Sequence, residues 1–442
     1  MSHDSANGAR SDVAVNVDND DAWAARRQFC LPVIVPSVLQ GKGMAVVSPM
    51  LPIFIHVDLK ASVAWVGAIS SAYGLIQVCF APCVGVLLAR LHYKNAACLA
   101  LAFIIVSCLL CFACQNVIQL IAARSLGALA VIAWDLSRKV WINVELPRRV
   151  RGRVMAAMSG LNKLATLLAV GVSGLLAQCL STRSVFLVQG LLTAMALLAI
   201  SIHSVLAPER TIRDCDGHQE GATTQSVGLR CVFKQHWRTL GTAGVFCASL
   251  NGTRIAWQLA MPLAGHSAGL DKRSIGFLAA FCFGVDACVN LTVTGAIMDR
   301  FGRKAVGIPA LLLMASGFAS LACSQGVPTL VTGGILYALG NGLCGGIVQT
   351  IAQDVTPSQA RSEFLGLWKT VTTQGGLWLP AVFGAASTAF SLSVAVWALS
   401  IVTVVTALWL ALVVADTAPC REIQAAASTS SVPLTLQQTR ES

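Results

Sequence analysis

Long apolar stretches alternate with short polar segments along most of the chain, from about residue 30 to residue 415. Each stretch is close to the ~20 residues with which an α-helix crosses the hydrocarbon layer of a bilayer. The pattern therefore predicts an all-α membrane protein with twelve transmembrane helices. The predicted spans are about 30–57, 62–88, 95–113, 117–141, 153–178, 184–206, 239–265, 274–298, 305–323, 328–353, 363–384 and 388–415.

The polar segments divide these spans into two sets of six. Residues 208–237 form the longest polar segment between two spans, and we interpret it as a cytoplasmic linker. Both ends of the chain are too polar to bury an apolar core. We therefore predict a disordered cytoplasmic tail at 1–29, an N-terminal six-helix bundle at 30–207, the linker at 208–237, a C-terminal six-helix bundle at 238–416 and a second disordered cytoplasmic tail at 417–442.

The composition excludes a soluble protein. Hydrophobic residues make up 55% of the 442 residues and charged residues only 12%, whereas soluble domains carry about 25% charged residues. Most of the cysteines lie inside apolar stretches, where cysteine behaves as a small hydrophobic residue. The motifs of phosphate-binding loops, zinc proteases and serine hydrolases are missing from the sequence. We therefore predict no enzyme activity, no cofactor and no metal.

The basic residues indicate the orientation in the membrane. The net charge is +11, and we attribute it to the loops rather than to nucleic-acid binding. Loops on one side carry fourteen basic residues, and loops on the other side carry only Lys60, Arg183, Lys272 and Arg273. Cytoplasmic loops are enriched in Lys and Arg. We therefore predict that both termini are cytoplasmic and that the protein resides in the plasma membrane.

A charged loop between spans eight and nine carries the most specific motif. It has the form G-x-x-x-D-R-x-G-R-K, and its residues are Gly295, Asp299, Arg300, Gly302, Arg303 and Lys304. The first glycine allows two helices to approach closely, and the second permits a tight turn. This pattern resembles the cytoplasmic loop motif of the major facilitator superfamily of transporters.

The motif has a degraded copy 210 residues earlier. Gly85, Arg90 and Lys94 align at that offset, but Ala89 replaces the aspartate. A second loop repeats at the same offset, with Pro147 and Arg151 matching Pro357 and Arg361. Two loops that share one offset indicate two similar halves, as in transporters built from repeats. The predicted fold is thus two pseudo-symmetric six-helix bundles.

Further segments resemble the drug-efflux-like, twelve-span branch of this family. They are residues 41–43, 49–52, 71–74, 80–82, 124–127, 340–346 and 363–366, and the resemblance covers about 30–415. It implies a secondary transporter in which the loop of spans eight and nine latches the two bundles on the cytoplasmic face. Because the first copy lacks its acid, we expect an asymmetric latch. Gln40 stands where proton antiporters of this branch often place an aspartate, which leaves proton coupling open.

Several ionisable residues lie deep inside predicted spans, where each costs about 3 kcal/mol even on the mildest scale. Bases outnumber acids among them, which favours an anionic or electron-rich substrate. Aromatic and amide residues in the same spans are further candidates for a binding site. The predicted substrate-binding or coupling residues are Lys42, Arg124, Asp135, Lys163, Arg254, Trp257, Asp286 and Gln349.

The pairing of these charges has alternatives. Arg254 and Asp286 form either a static ion pair or a pair that faces the central cavity and binds substrate or exchanges a proton. The offset of 210 places Lys42 near Arg254, which suggests a basic cavity. Lys163 is a candidate partner for Asp135, although Asp135 can also pair along its own helix with Arg138.

These observations predict a secondary active transporter that moves a small solute by alternating access. The favoured role is export of an organic or anionic compound by a monomer embedded in the lipid bilayer, with protons as a potential second partner. The alternatives are an importer or uniporter of an organic anion, and a membrane receptor on the same fold that binds its ligand without moving it.

Overall fold

The computed structural model describes residues 31–88, 91, 93–145, 148–206, 229–324, 326–357 and 361–414. The predicted tails and most of the predicted linker lie outside these residues. The last part of the predicted linker is not an irregular polar segment. From residue 229 onwards it is helical and belongs to the helix Leu229–Thr239. Val232 is buried on one face of this helix, whereas Phe233 and Trp237 are exposed on another. Such an amphipathic helix suits the membrane–water interface.

Twelve long helical segments follow the predicted spans in order. Their bounds are α1 (Leu31–Val47, continued by Leu51–Ile53 and a π-helical turn Phe54–Asp58), α2 (Val63–Leu88), α3 (Tyr93–Ala113), α4 (Val117–Glu145), α5 (Arg148–Cys179), α6 (Ser184–Leu206), α7 (a π-helical turn Leu240–Gly244 and Val245–Ser267), α8 (Lys272–Val289, continued by a π-helical turn Asn290–Thr294 and Gly295–Phe301), α9 (Arg303–Ala322), α10 (Val327–Leu343 and Ile347–Val355), α11 (Arg361–Thr373 and Gly375–Ala389) and α12 (Leu392–Leu412).

Ten helical segments among the described residues have the length and hydropathy of a membrane span. The other two predicted spans fall on α7 and α11. Polar residues such as Arg254 and Gln258 lower the hydropathy of α7, and a break at Gln374 divides α11. The all-helical membrane fold is confirmed.

The helices pack in two sets with the same arrangement. In the first set α1 packs on α5 and α6, α2 packs on α4, and α3 packs on α4 and α6. In the second set α7 packs on α11 and α12, α8 packs on α10, and α9 packs on α10 and α12. Adding six to each helix number converts one pattern into the other. The fold therefore consists of two pseudo-symmetric six-helix bundles, as the repeat of 210 residues predicts.

The two bundles meet along α2–α11 and along α5–α8. Glycines allow backbones to touch at both interfaces. A methyl group on Gly67 would overlap the carbonyl oxygen of Pro380 and lie 2.9 Å from Cα of Gly384. On the other interface, a methyl group on Gly174 would lie 2.7 Å from Cα of Gly276.

All four of these glycines lie towards the turns at 59–62, 180–183, 268–271 and 390–391, which we call the closed end. Lys272 links helices at this end. Its Nζ donates to Thr182 Oγ1 at 2.6 Å and lies 3.5 Å from Asp58 Oδ1. The neighbouring Asp271 caps α8 by accepting from the Ser274 N–H at 3.1 Å, and hydrogen bonds from Ser274 lower the pKa of this carboxyl.

The second bundle also contains a break in α10 at residues 344–346. The carbonyl oxygen of Gly342, at the end of the first segment of α10, accepts from Asn290 Nδ2 at 3.2 Å and from Thr294 Oγ1 at 2.9 Å. Both donors belong to the π-helical turn of α8. The same oxygen accepts from the Gly345 N–H at 3.0 Å, so the side chains of α8 add to the hydrogen bonding of the backbone at this break and tie α8 to α10.

Candidate functional site

A central cavity of about 490 Å³ lies between the two bundles, lined by residues of α1, α2, α4, α7 and α11. Its charged lining residues are Arg124, Arg254 and Lys369, and the described part of the chain places no acidic residue in its wall. Polar side chains such as Gln77, Asn251 and Gln258 share the wall with apolar ones such as Leu51 and Ile69. The described wall of the cavity therefore carries a positive balance of charge.

Arg124 extends from α4 towards α2. Its guanidinium carbon lies 4.8 Å from the ring centroid of Tyr73, a cation–π contact. Its Nε is buried and has no hydrogen-bond partner among the described residues. A buried donor without a partner is costly, so Arg124 is suited to receive an acceptor from the cavity.

Arg254 is held in a fixed position by α10. Its Nε donates to Asn341 Oδ1 at 2.8 Å, and its Nη2 donates to the carbonyl oxygen of Cys344 at 2.8 Å. The Asn341 side chain also interacts with the carboxylate of Asp286. No direct ion pair joins Arg254 and Asp286 among the described residues. The two charges that the sequence places near each other are thus connected through Asn341.

A side cavity of about 110 Å³ lies next to Arg254, mainly between helices of the second bundle, with Ser48 and Pro49 of the first bundle also in its wall. Asp286 lines it, and its Oδ1 is buried without a hydrogen-bond partner in the described part of the chain. Trp257 also lines it and stacks on Tyr337, with ring centroids 3.9 Å apart and planes 3° from parallel. Phe318 packs edge-on against both rings. Trp257 thus lies in a cavity wall, and its role in substrate binding stays a prediction.

Lys163 and Asp135 are placed differently from their predicted pairing. Asp135 forms an ion pair along its own helix with Arg138, at 3.1 Å. Lys163 of α5 interacts electrostatically with Asp286 and Arg254 of the other bundle. Asp135 in turn interacts with Lys369, which lines the central cavity. The sequence does not specify which face of α5 meets α8, and this face decides the partner of Lys163.

Lys42 does not line either cavity. Its Nζ donates to Thr166 Oγ1 at 2.7 Å and to the carbonyl oxygen of Asn162, both on α5. In the second bundle, Asn251 Nδ2 donates to the carbonyl oxygen of Thr372 at 3.1 Å. These contacts correspond across the repeat, so the structural counterpart of Lys42 lies beside Asn251 rather than at Arg254. Lys42 therefore joins α1 to α5 inside one bundle.

Gln349 lies in the second segment of α10, is exposed and lines neither cavity. Residues that the repeat could have identified include Ser48 and Gln258, which stand 210 positions apart and line both cavities. A search for polar residues at the repeat offset would have found this pair.

The charged loop between α8 and α9 is partly described. Gly302 adopts a positive φ of 87°, which favours glycine. Arg303 pairs with Asp354 at the end of α10, with Nε 3.0 Å from Oδ2 and Nη2 3.4 Å from Oδ1. Lys304 Nζ donates to the carbonyl oxygen of Ala411 at 3.0 Å, near the end of α12. The second half of the motif thus joins α9 to two other helices of its own bundle.

In the first bundle, Tyr93 stands at the position that corresponds to Arg303. Its ring lies 6.3 Å from that of Trp141, so an aromatic contact takes the place of the ion pair. Among the other predicted loop residues, Arg300 is exposed. Arg90 and Pro147 lie outside the described residues, and so do the side chains of Asp299, Arg151 and Arg361. Pro357 lies in the turn after α10. The predicted latch stays a prediction.

Comparison with known proteins shows which family shares this architecture. The family model described as Major Facilitator Superfamily matches residues 37–292 and 245–438. The arabinose-proton symporter of Bacillus subtilis (strain 168) is 30% identical over 126 residues, which is 26% of this chain and 27% of the symporter. The uncharacterized MFS-type transporter YcnB of the same organism is 26% identical over 149 residues, 34% of this chain and 31% of that protein. The matched stretches thus span about a third or less of these relatives.

Solved transporter structures show the same fold at low sequence identity. The crystal structure of the nucleoside transporter NupG superimposes with a TM-score of 0.69 and 15% identity, covering 87% of this chain and 98% of that one. The D-xylose-proton symporter gives a TM-score of 0.68 and 16% identity, covering 88% of this chain and 98% of that one.

Proposed function

The chain belongs to the major facilitator superfamily, and from this premise we propose that it is a secondary active transporter of a small organic anion. The observation that carries the proposal is the charge of the central cavity: among the described residues, Arg124, Arg254 and Lys369 line it, and no acid does. Such a balance favours a ligand that brings negative charge.

Alternating access follows from the symmetry of the two bundles. The closed end is sealed where α2 meets α11 and where α5 meets α8. If the bundles rock about the central cavity, the closed end would separate. The opposite ends of α2 and α11, and of α5 and α8, would then come into contact. With both termini in the cytoplasm, as proposed, the closed end would be the extracellular one.

Coupling to protons is the second part of the proposal. Asp286 is the deep acid of the second bundle, and the groups that face it are Lys163 from α5, Arg254 from α7, and Tyr337 and Cys344 from α10. Lys163 attracts Asp286 across the interface between the bundles. A proton on Asp286 would remove this attraction, so proton binding and the movement of the bundles would be linked.

A neutral sugar-like solute is the second candidate. The partial match to an arabinose-proton symporter favours it, and so do the amide groups of Gln77, Asn251 and Gln258 in the cavity wall. Amides and hydroxyls recognise polyols by hydrogen bonds without needing a net charge. The direction of transport is a separate proposal. The resemblance of the first two helices to the drug-efflux-like branch favours export.

Transport by the purified protein in proteoliposomes tests these proposals. We expect saturable movement of organic acids, driven by an imposed pH gradient, and its loss in Arg124→Gln and Arg254→Gln. Arg230→Gln, an exposed residue of the helix before α7, serves as the control. Transport of sugars without transport of organic acids would favour the second candidate, a neutral sugar-like solute. Ligand binding without movement of any solute would contradict transport and favour a receptor.

A further inference from the structure

Of the residues that the structure describes, three line both the central cavity and the side cavity: Ser48, Arg254 and Gln258. Arg254 therefore stands where the two spaces meet. Its bonds to Asn341 and Cys344 fix its Nε and Nη2, whereas no hydrogen-bond partner of Nη1 lies among the described residues. An acidic group bound at Arg254 would leave the rest of its molecule at the entrance of the side cavity.

The size of the side cavity limits what can enter it. Its volume is about 110 Å³. A cavity of about 150 Å³ with apolar walls is known to bind benzene. The space beside Arg254 is smaller than that cavity, so it limits an occupant to at most one compact ring or a short branched chain and is too small for two fused rings.

The walls of the side cavity are mainly apolar. Trp257, Met261, Pro262, Phe283 and Tyr337 are among its lining residues. The stack of Trp257 on Tyr337 holds the indole rigidly, so a ring in the cavity would meet a preformed wall. The buried Oδ1 of Asp286 offers one point for a hydrogen bond.

We propose that the substrate is an organic acid with a compact apolar body. The acidic group binds at Arg254, and the body, no larger than about one ring, enters the side cavity. This inference rests on the proposed function, since it specifies which organic anions the transporter accepts. Sugars, phosphorylated sugars and small dicarboxylates lack an apolar body and do not use the side cavity.

A panel of simple acids tests the inference on the purified full-length protein in proteoliposomes. The probes are benzoate and 3-methylbutanoate, which carry a compact body; succinate, which has two charges and no such body; 1-naphthoate, which is too large; and benzamide, which lacks the charge. We expect transport of benzoate and 3-methylbutanoate to exceed that of the other three probes.

A variant that fills the side cavity gives a second measurement. Ala338 lines this cavity and is 2% exposed, and Ala338→Leu places new methyl groups in it without changing a charge. We expect the affinity for benzoate to fall by about tenfold or more, with acetate transport unchanged. Ala133→Leu is the matched control, because Ala133 lines an apolar groove between α2, α3 and α4. Ala279→Val replaces the first variant if Ala338→Leu fails to fold.

The outcomes separate this inference from the proposed function. If none of the acids is moved by the unmodified protein, the proposed function fails, and the inference fails with it. If acids are moved but succinate equals benzoate and neither filling variant changes the preference, only the inference is wrong.

Discussion

Ser48 Oγ donates a hydrogen bond of 3.1 Å to Gln258 Oε1, and the two residues stand 210 positions apart in the chain. The same offset relates the two copies of the charged loop motif. Residues that correspond in two halves related by a two-fold operation meet only at the axis. The pair therefore marks the pseudo-symmetry axis, and the axis passes through the wall shared by both cavities.

Gly67→Ala should weaken the closed end. The added methyl group would overlap the carbonyl oxygen of Pro380, and such overpacking costs about 1–3 kcal/mol. We expect the population to shift towards a state that is open at this end, with faster hydrogen–deuterium exchange in residues 58–66 and 384–392. Gly366→Ala is the control, because a methyl group there meets nothing within 4 Å. Equal exchange in both variants would contradict the proposed contact.

Lys272→Met should open the same end by removing its side-chain link. The ammonium joins Asp58 and Thr182, and a partly exposed link of this kind contributes about 1 kcal/mol. We expect faster exchange in the segments around Asp58 and Thr182. Arg273→Met tests whether the loss of any positive charge at this end is enough to speed up exchange. Arg273 is exposed and lies over Phe277. If Arg273→Met has the same effect, Lys272 does not act through these contacts.

Arg303→Gln and Asp354→Asn should each lower the thermal stability of the protein in detergent. Their two-pronged ion pair joins α9 to α10, and a hydrogen-bonded charge pair that loses one partner costs about 1.5–3 kcal/mol. We expect the double variant to be less destabilised than the sum of the single variants. Strict additivity would show that the two side chains do not stabilise each other.

Asp286→Asn should abolish substrate accumulation driven by a pH gradient while leaving exchange of substrate between the two sides of the membrane. The amide cannot take up and release a proton, but it leaves the cavity intact. Lys163→Gln should also reduce the substrate accumulation that the pH gradient drives. Asp271→Asn is a matched control on α8, because asparagine also caps a helix. Full accumulation in Asp286→Asn would assign the proton to another group.

The sequence predicts the number and order of the helices and the repeat, because hydropathy and a shared offset are properties of the chain itself. It also predicts that Arg254, Asp286 and Trp257 lie deep in the second bundle. It does not specify the partners of Lys42 and Lys163, because long helices that are largely apolar carry little information on their rotation about the helix axis. The partner of a deep lysine depends on that rotation.

The closed end also has an electrical consequence. Backbones that touch at Gly67–Gly384 and at Gly174–Gly276 leave little room for a column of water. If water reaches the central cavity from the opposite side, the membrane voltage should fall mainly across this thin seal, because water conducts ions and the seal does not. An ion that moves from the central cavity past the seal would experience most of the field, about 2.3 kcal/mol per elementary charge at 100 mV.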